Sequence, residues 1–425
     1  MSKKSDAHKN HLWVIGQPPP LIRAHSLAKH RVLRKYLERY VETLTANPRR
    51  DQMRLTLVDG FAGGGIYLDD RTKEERYGSP LLMLEAMKVA QAEAQKLRSK
   101  PFHLDVQYIF IEKDQNALEY LKKILAQSEY AKLLGERIQV LSGEFVDHAP
   151  DIVKFVKSRG TSGRAIFNLD QFGYKDAPLP VIRTILHELE NAEVLLTFAA
   201  DSLIDYLGDN EKYHKQLQSA GLNLSAAEIA DARASRHWRR SIQYLLHREI
   251  PTVTGADYYT PFFIRSADSH RDFWLVHLSG HHKARDVMVG LHWQESTSFA
   301  HYGGSGLQML GYHQSRDENL THQPTLPGFF FDQTALVSSQ EELIEQLPAR
   351  VHEFSKGVSA ESFFAKHTNE APVTFEIMRG VLNELAASGQ IIVRDKSGTR
   401  KRSSKITHAS DIIEPSRQRR IRMGN

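Results

Sequence analysis

The sequence predicts an α/β fold built on a parallel, Rossmann-like sheet. Three apolar runs indicate buried strands, and each ends in residues suited to a ligand site: 55–59, 106–112 and 164–170. The first run leads into a glycine-rich loop, and the other two end in an acid. The carboxyl ends of parallel strands meet at one edge of the sheet, where open α/β folds bind ligands. We therefore expect one site along that edge.

The loop after the first strand contains Gly63, Gly64 and Gly65. Glycine has no Cβ, so the backbone can adopt positive φ and lie close to a ligand. A phosphate loop would continue with Gly-Lys-Ser or Gly-Lys-Thr, and a dinucleotide fingerprint would run straight into a helix. Here a polar stretch reaches Tyr77 before a helix that is predicted to start near Pro80. An ordinary glycine turn is the alternative for this loop taken alone.

The strands predicted at 106–112 and 138–145, the second and third along the chain, each have an acid at their carboxyl end. Glu112 can accept both hydroxyls of a ribose, as an acid does in dinucleotide folds. Alternatively, Glu112 only starts the helix predicted at 114–127, for which Asp114 is the expected N-cap. Glu144 ends the strand at 138–145. It could contact the amino group of an adenine or cap the following helix, and both interpretations stay open.

The fourth predicted strand ends in polar Asn168 and Asp170. A carboxylate or amide at that position can hydrogen-bond an exocyclic amine and orient its lone pair toward a methyl group. In-line transfer then depends mainly on positioning the two reactants. Phe172 and Tyr174 could stack on a base drawn into the pocket, or they could pack in the core or in a loop.

The glycine loop, Glu112 and Asp170 follow one another in the order found in a class I S-adenosylmethionine (SAM) methyltransferase. This order predicts that SAM is the cofactor. The predicted cofactor-binding residues are Asp59, Phe61, Gly63, Gly64, Gly65, Glu112, Glu144 and Asn168. The predicted catalytic residues are Asp170, Phe172 and Tyr174.

The chain resembles a known family, the three-Cys-motif partner proteins (TcmP). The resemblance spans about residues 12–300 and lies in 25–34, 58–63, 78–81, 110–113, 169–174 and 274–285. It implies a SAM-dependent methyltransferase that works beside a three-cysteine-motif partner similar to radical-SAM enzymes, and it implies no substrate. The family tends to read Asp-Pro-Phe-Gly, a form also similar to transfer-RNA guanine-N2 methyltransferases. This chain has Gln171 in place of the proline and so lacks the fixed φ of that ring.

The remaining patterns predict a seven-stranded methyltransferase sheet with a helical insertion and a C-terminal winged helix-turn-helix domain. A strand at 193–198 and a hairpin at 258–266 and 271–279 complete the sheet. The predicted parts are an N-terminal arm with a basic helix (1–50), the methyltransferase-like domain (51–300) with its insertion (201–255), a linker (301–338), the winged helix (339–408) and a basic tail (409–425).

Three predicted helices at 340–351, 359–366 and 374–388 precede a basic hairpin with a wing at 390–407. This pattern indicates a winged helix-turn-helix whose third helix lies against a nucleic-acid groove. A protein-docking module is the alternative.

The positive charge lies mainly at the C-terminal end. Residues 396–425 hold nine Lys or Arg against Asp411 and Glu414, so their net charge is 9 − 2 = +7, and the other residues sum to 5 − 7 = −2. Such a segment attracts phosphate backbones, although it could be only a solubilising tail, and the basic helix at 23–39 could be only a solvated face. The predicted nucleic-acid contacts are Lys29, Arg34, Arg379, Lys396, Arg400, Lys401, Arg402 and Lys405.

Composition excludes several other classes. The chain has no cysteine, so it forms no disulfide and supplies no thiolate to a nucleophile or an iron–sulfur cluster. The longest apolar runs have the length of strands, and the N-terminus lacks a secretory core, so we expect a cytoplasmic protein with no membrane contact. The 21 histidines lack the spacing of metal ligands, and we expect no metal.

Two hypotheses follow from the sequence. In the first, the chain methylates a nucleobase amine with SAM while the winged helix and basic tail hold RNA or DNA. In the second, the chain is a catalytically inert, SAM-binding or nucleic-acid-binding adaptor for the three-cysteine-motif partner. Gln171 and the lack of a full Asp-Pro-Pro-Tyr motif favour the second hypothesis. Asp59, Glu112 and Asp170 favour the first.

Overall fold

The computed structural model describes residues 12–160, 163–171, 176–198, 217–218, 220–234, 238–265, 272–295, 299–301, 305–307 and 329–416. The chain divides into two units. The first contains residues 1–236 and 245–284, and the second contains residues 237–244 and 285–425. Each helix in the described ranges is too short or too polar to cross a membrane.

The first unit contains ten strands in its described part. They are β1 (Leu21–Ile22), β2 (Gln52–Asp59), β3 (Ile66–Asp69), β4 (Glu75–Tyr77), β5 (His103–Glu112), β6 (Ile138–Ser142), β7 (Arg164–Leu169), β8 (Ala192–Phe198), β9 (Tyr258–Arg265) and β10 (Asp272–Ser279). Its helices include α1 (Ala24–Leu44), α2 (Ser79–Lys96), α3 (Gln115–Gln127), α4 (Phe145–Ser158), α5 (Leu179–Glu188) and α6 (Ala226–Ala234). Helices α7 (Trp238–Thr254) and α8 (His282–Glu295) lie partly in each unit.

Seven of these strands form the sheet of a class I methyltransferase fold. Their spatial order is β9-β10-β8-β7-β2-β5-β6. Strands β6, β5, β2, β7 and β8 are parallel, and β10 is antiparallel to both β8 and β9. The predicted fold class and the terminal hairpin are therefore confirmed. The predicted insertion is helical in its described part, where it contains α6 and α7, while residues 199–216 lie outside the described part.

The register of the central strands sets the position of the site. Asp59, the last residue of β2, lies opposite Phe110 of β5 and Asn168 of β7. Leu55, Leu57 and Val58 are fully buried, as expected of parallel strands that are covered on both faces. The polar strand ends therefore emerge side by side from an apolar sheet.

A second, smaller sheet ties the N-terminal arm to the glycine loop. Strand β1 pairs in parallel with β3, which forms a hairpin with β4. Leu68 N–H also donates to Pro20 O at 3.0 Å, and Asp70 N–H donates to Ile22 O at 3.1 Å. The polar stretch after the loop is thus a hairpin, and residues 12–22 form a strap along it.

Helix α1 packs on the large sheet through a buried face that includes Val32, Leu33, Tyr36 and Tyr40. A buried polar network fixes it there. The hydroxyl of Tyr36 donates to the carboxylate of Glu193 in β8 and lies 3.1 Å from Nε2 of His277 in β10. That same Nε2 lies 3.0 Å from Oε2 of Glu193. Burying a polar network is favourable only when its members bond one another, so this network holds α1 in one position.

The second unit contains a winged helix-turn-helix. Its elements are β11 (Phe299–His301), β12 (Phe329–Phe330), α9 (Gln333–His352), β13 (Val358–Ser359), α10 (Ala360–His367), α11 (Phe375–Ala387), β14 (Ile391–Arg394) and β15 (Ile412–Pro415). Strands β13, β15 and β14 form one sheet in that order. Asp332, Ser359 and Thr374 cap the three helices, since each side chain accepts a backbone N–H of the first turn.

The helices and strands of this unit enclose their own core. Its fully buried members include Leu343, Leu347, Phe363, Val381 and Ile413. The start of this unit also contributes buried polar contacts. Arg285 is fully buried and donates to Thr368 Oγ1 at 2.7 Å and to Ala371 O at 2.9 Å. Burial lowers the pKa of Arg285 to about 9.

Three boundaries differ from those expected. Helix α9 begins at Gln333, within the predicted linker, because Asp332 provides an N-cap there. The predicted basic return segment pairs with β14 at one antiparallel bridge, Arg394 to Arg400. The sheet is completed by a strand that was not predicted, β15 at Ile412–Pro415, whose Ile413 is buried in the core. The division between the units follows Ala284, whereas the sequence predicts it near residue 300.

Candidate active site and nucleic-acid interface

Glu112 binds the glycine-rich loop to the end of β5. Gly63 and Gly65 have φ of 60° and 83°, which glycine adopts without the penalty of a Cβ. The carboxylate of Glu112 accepts hydrogen bonds from the N–H groups of Gly63 and Asp114, each at 2.8 Å. Asp114 is the N-cap of α3 and accepts from Ala117 N–H. The capping role expected of Asp114 is confirmed, and Glu112 lies at the loop, where a ribose ligand is predicted.

Trp13 covers this loop, a feature that the sequence did not reveal. Its indole N–H donates to Ile66 O at 2.9 Å, and its ring lies edge-on to Tyr67 with centroids 5.2 Å apart. A Cβ added to Gly64 would lie only 2.2 Å from Cδ1 of Trp13. One function of Gly64 is therefore to leave space for this indole.

Asp59 is a fully buried carboxyl at the end of β2. Its Oδ1 accepts a hydrogen bond from Phe61 N–H at 3.2 Å. Burial raises the pKa of Asp59 to about 7, and the charge of Asp170 adds to the effect. At neutral pH the group is thus divided between the acid and the carboxylate. The ring of Phe61 packs near Phe145, with centroids 6.4 Å apart.

Asp170 follows β7 and forms an ion pair with Lys29 of α1. The ammonium of Lys29 donates to both carboxylate oxygens, at 2.7 Å to Oδ2. Burial raises the pKa of Asp170, but the charge of Lys29 and hydrogen bonds from Lys29 and Thr197 outweigh it, so this pKa lies below its usual value. Asp170 is therefore a carboxylate at neutral pH, and its side chain stays 28% exposed.

This ion pair changes the interpretation of Lys29. The sequence placed Lys29 on the open face of a basic helix, as a phosphate contact. Its side chain is only 12% exposed, because the residue lies on the same helical face as Leu33 and Tyr36, four and seven positions later. Lys29 thus belongs to the Asp170 site.

A pocket opens beside this pair. Its volume is about 10 Å³, which is room for about one water molecule. Its lining residues are Lys29, His30, Val32, Leu33, Asn168, Asp170, Leu195, Thr197 and Leu275. The polar side chains come from the strand ends and the start of α1, whereas the apolar ones form a wall.

Two further side chains of this region titrate abnormally. Burial lowers the pKa of His30 to about 4, so the imidazole is neutral at pH 7. Burial, with the charges of Asp170, Asp59 and Glu112, raises the pKa of Tyr67 far above its usual value. Neither group adds charge, so among the residues that line the pocket Lys29 is the cation and Asp170 the anion.

Gln171 occupies the position where the resembled family tends to have proline. Its side chain is buried, and its Oε1 accepts a hydrogen bond from Ala177 N–H at 3.0 Å. The amide therefore stabilises the backbone after β7 by a bond that proline could not form. Phe172 and Tyr174, predicted to stack on a base, lie outside the described residues.

Two further residues with predicted binding roles, Glu144 and Arg34, have charged partners. Glu144 occupies the N-cap position of α4 without accepting a capping hydrogen bond, and it lies 3.8 Å from Nζ of Lys113. Arg34 is paired with Glu38 at 2.9 Å and with Glu85 at 3.3 Å. Their predicted roles in binding cofactor and nucleic acid stay predictions. Among the described residues, no cluster of three His, Asp or Glu could hold a metal ion.

Exposed cations are concentrated in the wing between β14 and β15. Lys396, Arg400, Arg402 and Lys405 are exposed. Lys401 differs, because its ammonium donates to Asp411 Oδ2 at 2.7 Å and its side chain is 16% exposed. Four of the predicted cations are thus available to phosphates in this loop. Arg417, Arg419, Arg420 and Arg422 of the predicted tail lie outside the described residues.

Helix α11, the predicted recognition helix, has a different surface. Its exposed positions include Glu376, Gly380 and Glu384. Arg379, predicted to contact nucleic acid, forms an ion pair with Glu376. Two acids on the outer face repel phosphates, so in this part of the unit the wing offers the better phosphate contact.

Comparison with known proteins adds a family match in the second unit. A family model described as GMT-like wHTH domain matches residues 313–398. No curated protein is significantly similar to the chain.

Several solved structures are similar to the chain at low scores. The protein LPL1258 from Legionella pneumophila str. Philadelphia 1 has 10% identity, covering 61% of this chain and 90% of its own, with a TM-score of 0.34. A human methyltransferase 10 domain containing protein has 11% identity, covering 59% and 83%, with a TM-score of 0.26. Aeropyrum pernix fibrillarin, solved with S-adenosyl-L-methionine, has 8% identity, covering 58% and 76%, with a TM-score of 0.25.

Proposed function

We propose that this chain is a SAM-dependent methyltransferase that acts on an exocyclic amine of a nucleobase. The observation that supports this most is the convergence of Asp59, Glu112 and Asp170 at one edge of a sheet with methyltransferase strand order. In open α/β folds this edge binds the ligand.

The residues at this edge fit SAM. The cofactor carries a ribose, an adenine and a cationic amino acid, and it would supply an electrophilic methyl group. Glu112 is a carboxylate at the level of the glycine loop, suited to ribose hydroxyls. Asp59 is a buried acid beside Ser79 and Asn168, whose side chains help to stabilise its charge, and its Oδ2 has no hydrogen bond of good geometry among the described residues. Since a buried acceptor without a donor is costly, an ammonium group of a ligand would stabilise it.

Asp170 is suited to orient the attacking amine. A carboxylate only accepts hydrogen bonds, so it can hold an amine N–H and direct the nitrogen lone pair toward the methyl carbon. The nitrogen–carbon bond forms as the sulfur–carbon bond breaks. The nitrogen then releases its proton to solvent, so no base with a raised pKa is needed. Holding the two reactants in line can contribute several kcal/mol to lowering the barrier.

Nucleic acid as the substrate carrier is proposed from the second unit. The winged helix-turn-helix fold, with four exposed cations in its wing, provides a surface for phosphate contacts, which supply most of nonspecific binding. A three-cysteine-motif partner is proposed from the family resemblance. Because this chain has no cysteine, any cluster chemistry would belong to that partner.

A second candidate function is that of a catalytically inert adaptor. The Lys29–Asp170 ion pair favours it, because Lys29 already engages the acceptor that an amine would use. The substitution Gln171→Pro would test whether the family sequence restores activity to a silent chain.

The experiment that tests the proposal measures two properties separately. Calorimetry with millimolar SAM tests cofactor binding, and transfer of labelled methyl to co-purified nucleic acid tests catalysis. Asp170→Asn should abolish transfer and leave SAM affinity within about 1 kcal/mol, the pattern of an interaction used mainly in the transition state. A wild-type chain that binds no SAM would refute the proposal. One that binds SAM but stays silent with its partner and nucleic acid present would be the adaptor.

A further inference from the structure

The side chain of Tyr67 lies beside the glycine-rich loop. Tyr67 belongs to β3, which directly follows that loop. A Cβ added to Gly63 would lie 3.3 Å from the hydroxyl oxygen of Tyr67, and one added to Gly78 would lie 3.1 Å from its Cε2. The phenol therefore occupies space that both glycines leave open, at the edge of the sheet where the cofactor is proposed to bind.

Two aromatic neighbours hold the ring, while its hydroxyl has no partner in the protein. The ring centroid of Trp13 in the strap lies 5.2 Å from that of Tyr67, and the centroid of His30 in α1 lies 6.1 Å from it. Tyr67 is half-buried, and among the described residues nothing hydrogen-bonds its hydroxyl. Polar groups in such positions are satisfied by water or by a ligand. The hydroxyl is thus available to a ligand at the loop.

This hydroxyl is a hydrogen-bond donor in acidic surroundings. Burial, with the charges of Asp170, Asp59 and Glu112, holds the pKa of Tyr67 far above its usual value, so the phenol keeps its proton at neutral pH. A carboxylate only accepts hydrogen bonds. The three acids therefore suit the donor groups of a ligand, whereas an acceptor group of that ligand needs a donor from the protein.

The neighbouring side-chain donors are already engaged. His30 is neutral, and its hydrogen bond to the backbone of Tyr77 uses the one N–H that a neutral imidazole has. The donors that stabilise the charge of Asp59 or Asp170 are Lys29, Ser79, Asn168 and Thr197. Tyr67 therefore offers a side-chain donor at this loop that is not engaged by an acid of the site.

We propose that the hydroxyl of Tyr67 donates a hydrogen bond to the α-carboxylate of SAM, and that it thereby selects the amino-acid form of the cofactor. This inference rests on the proposed function and names a further cofactor-binding residue of the same site. The ammonium of SAM suits the acids, whereas its carboxylate is repelled by them. A neutral donor between these acids gives the carboxylate a favourable contact without adding a charge.

A cofactor analogue isolates this contact. Decarboxylated SAM has a hydrogen in place of the carboxylate and keeps the ammonium, the ribose and the adenine. Tyr67→Phe removes the hydroxyl and keeps the ring against Trp13. In calorimetry on the full-length chain, this variant should raise the Kd of SAM about 10- to 100-fold, the range for a hydrogen bond to a charged group. The Kd of decarboxylated SAM should change by less than about twofold, because that ligand has no acceptor to lose.

Tyr77→Phe is the matched control, because Tyr77 lies in the same hairpin and its side chain is exposed. This variant should bind both ligands as the wild type does. Thermal melts of the two variants check that each one folds. The wild type provides a second measurement that needs no variant, since it should bind SAM more tightly than decarboxylated SAM.

The outcomes separate this inference from the proposed function. If Tyr67→Phe changes the Kd of both ligands equally, or if the wild type binds decarboxylated SAM at least as tightly as SAM, the inference is overturned and the proposed function stands. An equal loss of SAM affinity in Tyr77→Phe would overturn it as well. A wild-type chain that binds neither ligand refutes the proposed function, and the inference with it.

Discussion

Asp59 is a carboxyl group that the fold holds away from water at the end of a strand. Its pKa of about 7 is raised by burial, so the folded state binds a proton more tightly than the unfolded state. Such a group stabilises the fold fully below its unfolded pKa near 3.8, and the contribution disappears as pH rises through the folded pKa near 7.

The substitution Asp59→Asn should therefore remove a pH dependence. Between about pH 4 and pH 7 the wild type should lose on the order of 2–4 kcal/mol of unfolding free energy relative to this variant. Urea unfolding at several pH values measures the difference. Asp151→Asn, at an exposed acid on α4, is the matched control and should leave the profile unchanged. Parallel pH profiles for wild type and Asp59→Asn would contradict the expected titration.

At the scale of elements, the strap of residues 12–22 depends on one aromatic side chain. Leu12 and Ile15 of the strap are exposed, whereas Trp13 is buried against the glycine loop. The strap and the loop therefore form one structure, and changes in either should affect the other.

Gly64→Ala should expel the indole of Trp13, because the new Cβ would lie 2.2 Å from Cδ1. We expect a loss of about 1–3 kcal/mol, the usual cost of overpacking, with a red shift of Trp13 fluorescence. The control is a double-mutant cycle. In a Trp13→Ala background, Gly64→Ala should cost much less, since the clash is gone. Additive costs would show that Trp13 is not what constrains Gly64.

The wing between β14 and β15 carries exposed cations whose contribution to nucleic-acid binding can be measured. Replacing Lys396, Arg400, Arg402 and Lys405 by Gln should reduce the slope of log affinity against log salt on duplex DNA by up to about 3.6, since each phosphate contact contributes about 0.9. Arg350→Gln with Lys366→Gln is the matched control in the same unit, because Glu353 pairs with both cations. The control removes two charges against four, so a slope that falls about half as much in the control would mean that net charge, and not the wing, determines binding.

At the scale of the whole molecule, the second unit has a core of its own that extends back to α8. Trp293 donates to Pro372 O at 2.7 Å, and Asp286 Oδ1 accepts Phe375 N–H at 2.8 Å. Together with Arg285, these residues hold the segment before α11. The unit is therefore incomplete if it begins at residue 300, where the sequence predicted a boundary.

A fragment of residues 282–416 should fold alone, and a fragment of 300–416 should be less stable by about 2–5 kcal/mol. The shorter fragment loses buried hydrogen bonds, including those of a charged group, each worth about 1–3 kcal/mol. Thermal melts followed by circular dichroism measure this. Arg285→Ala in the longer fragment should reproduce part of the loss. Equal melting temperatures for the two fragments would contradict the role given to α8.

The sequence predicted what depends on local pattern and strand order. Periodicity and turn residues are local, so the sheet order, the Asp114 cap and the three helices of the winged domain agree with expectation. The contacts of Trp13 with Gly64 and of Lys29 with Asp170 join residues that are distant in the chain. A local pattern therefore does not predict which residues meet. Only the spacing of Lys29, Leu33 and Tyr36 on one helical face could have indicated that Lys29 points inward.

The strand order has a consequence for the synthesis of the chain. Strand β10 lies between β8 and β9, yet it begins at Asp272, long after β8 ends at Phe198. At about 5–20 residues per second, the ribosome takes roughly 4–15 s to cross that interval. Throughout it, the outer edge of β8 has unpaired backbone groups, which invite pairing with other chains. Nascent chains that stop short of Ser279 should therefore aggregate through this edge, whereas chains completed to that residue close it themselves.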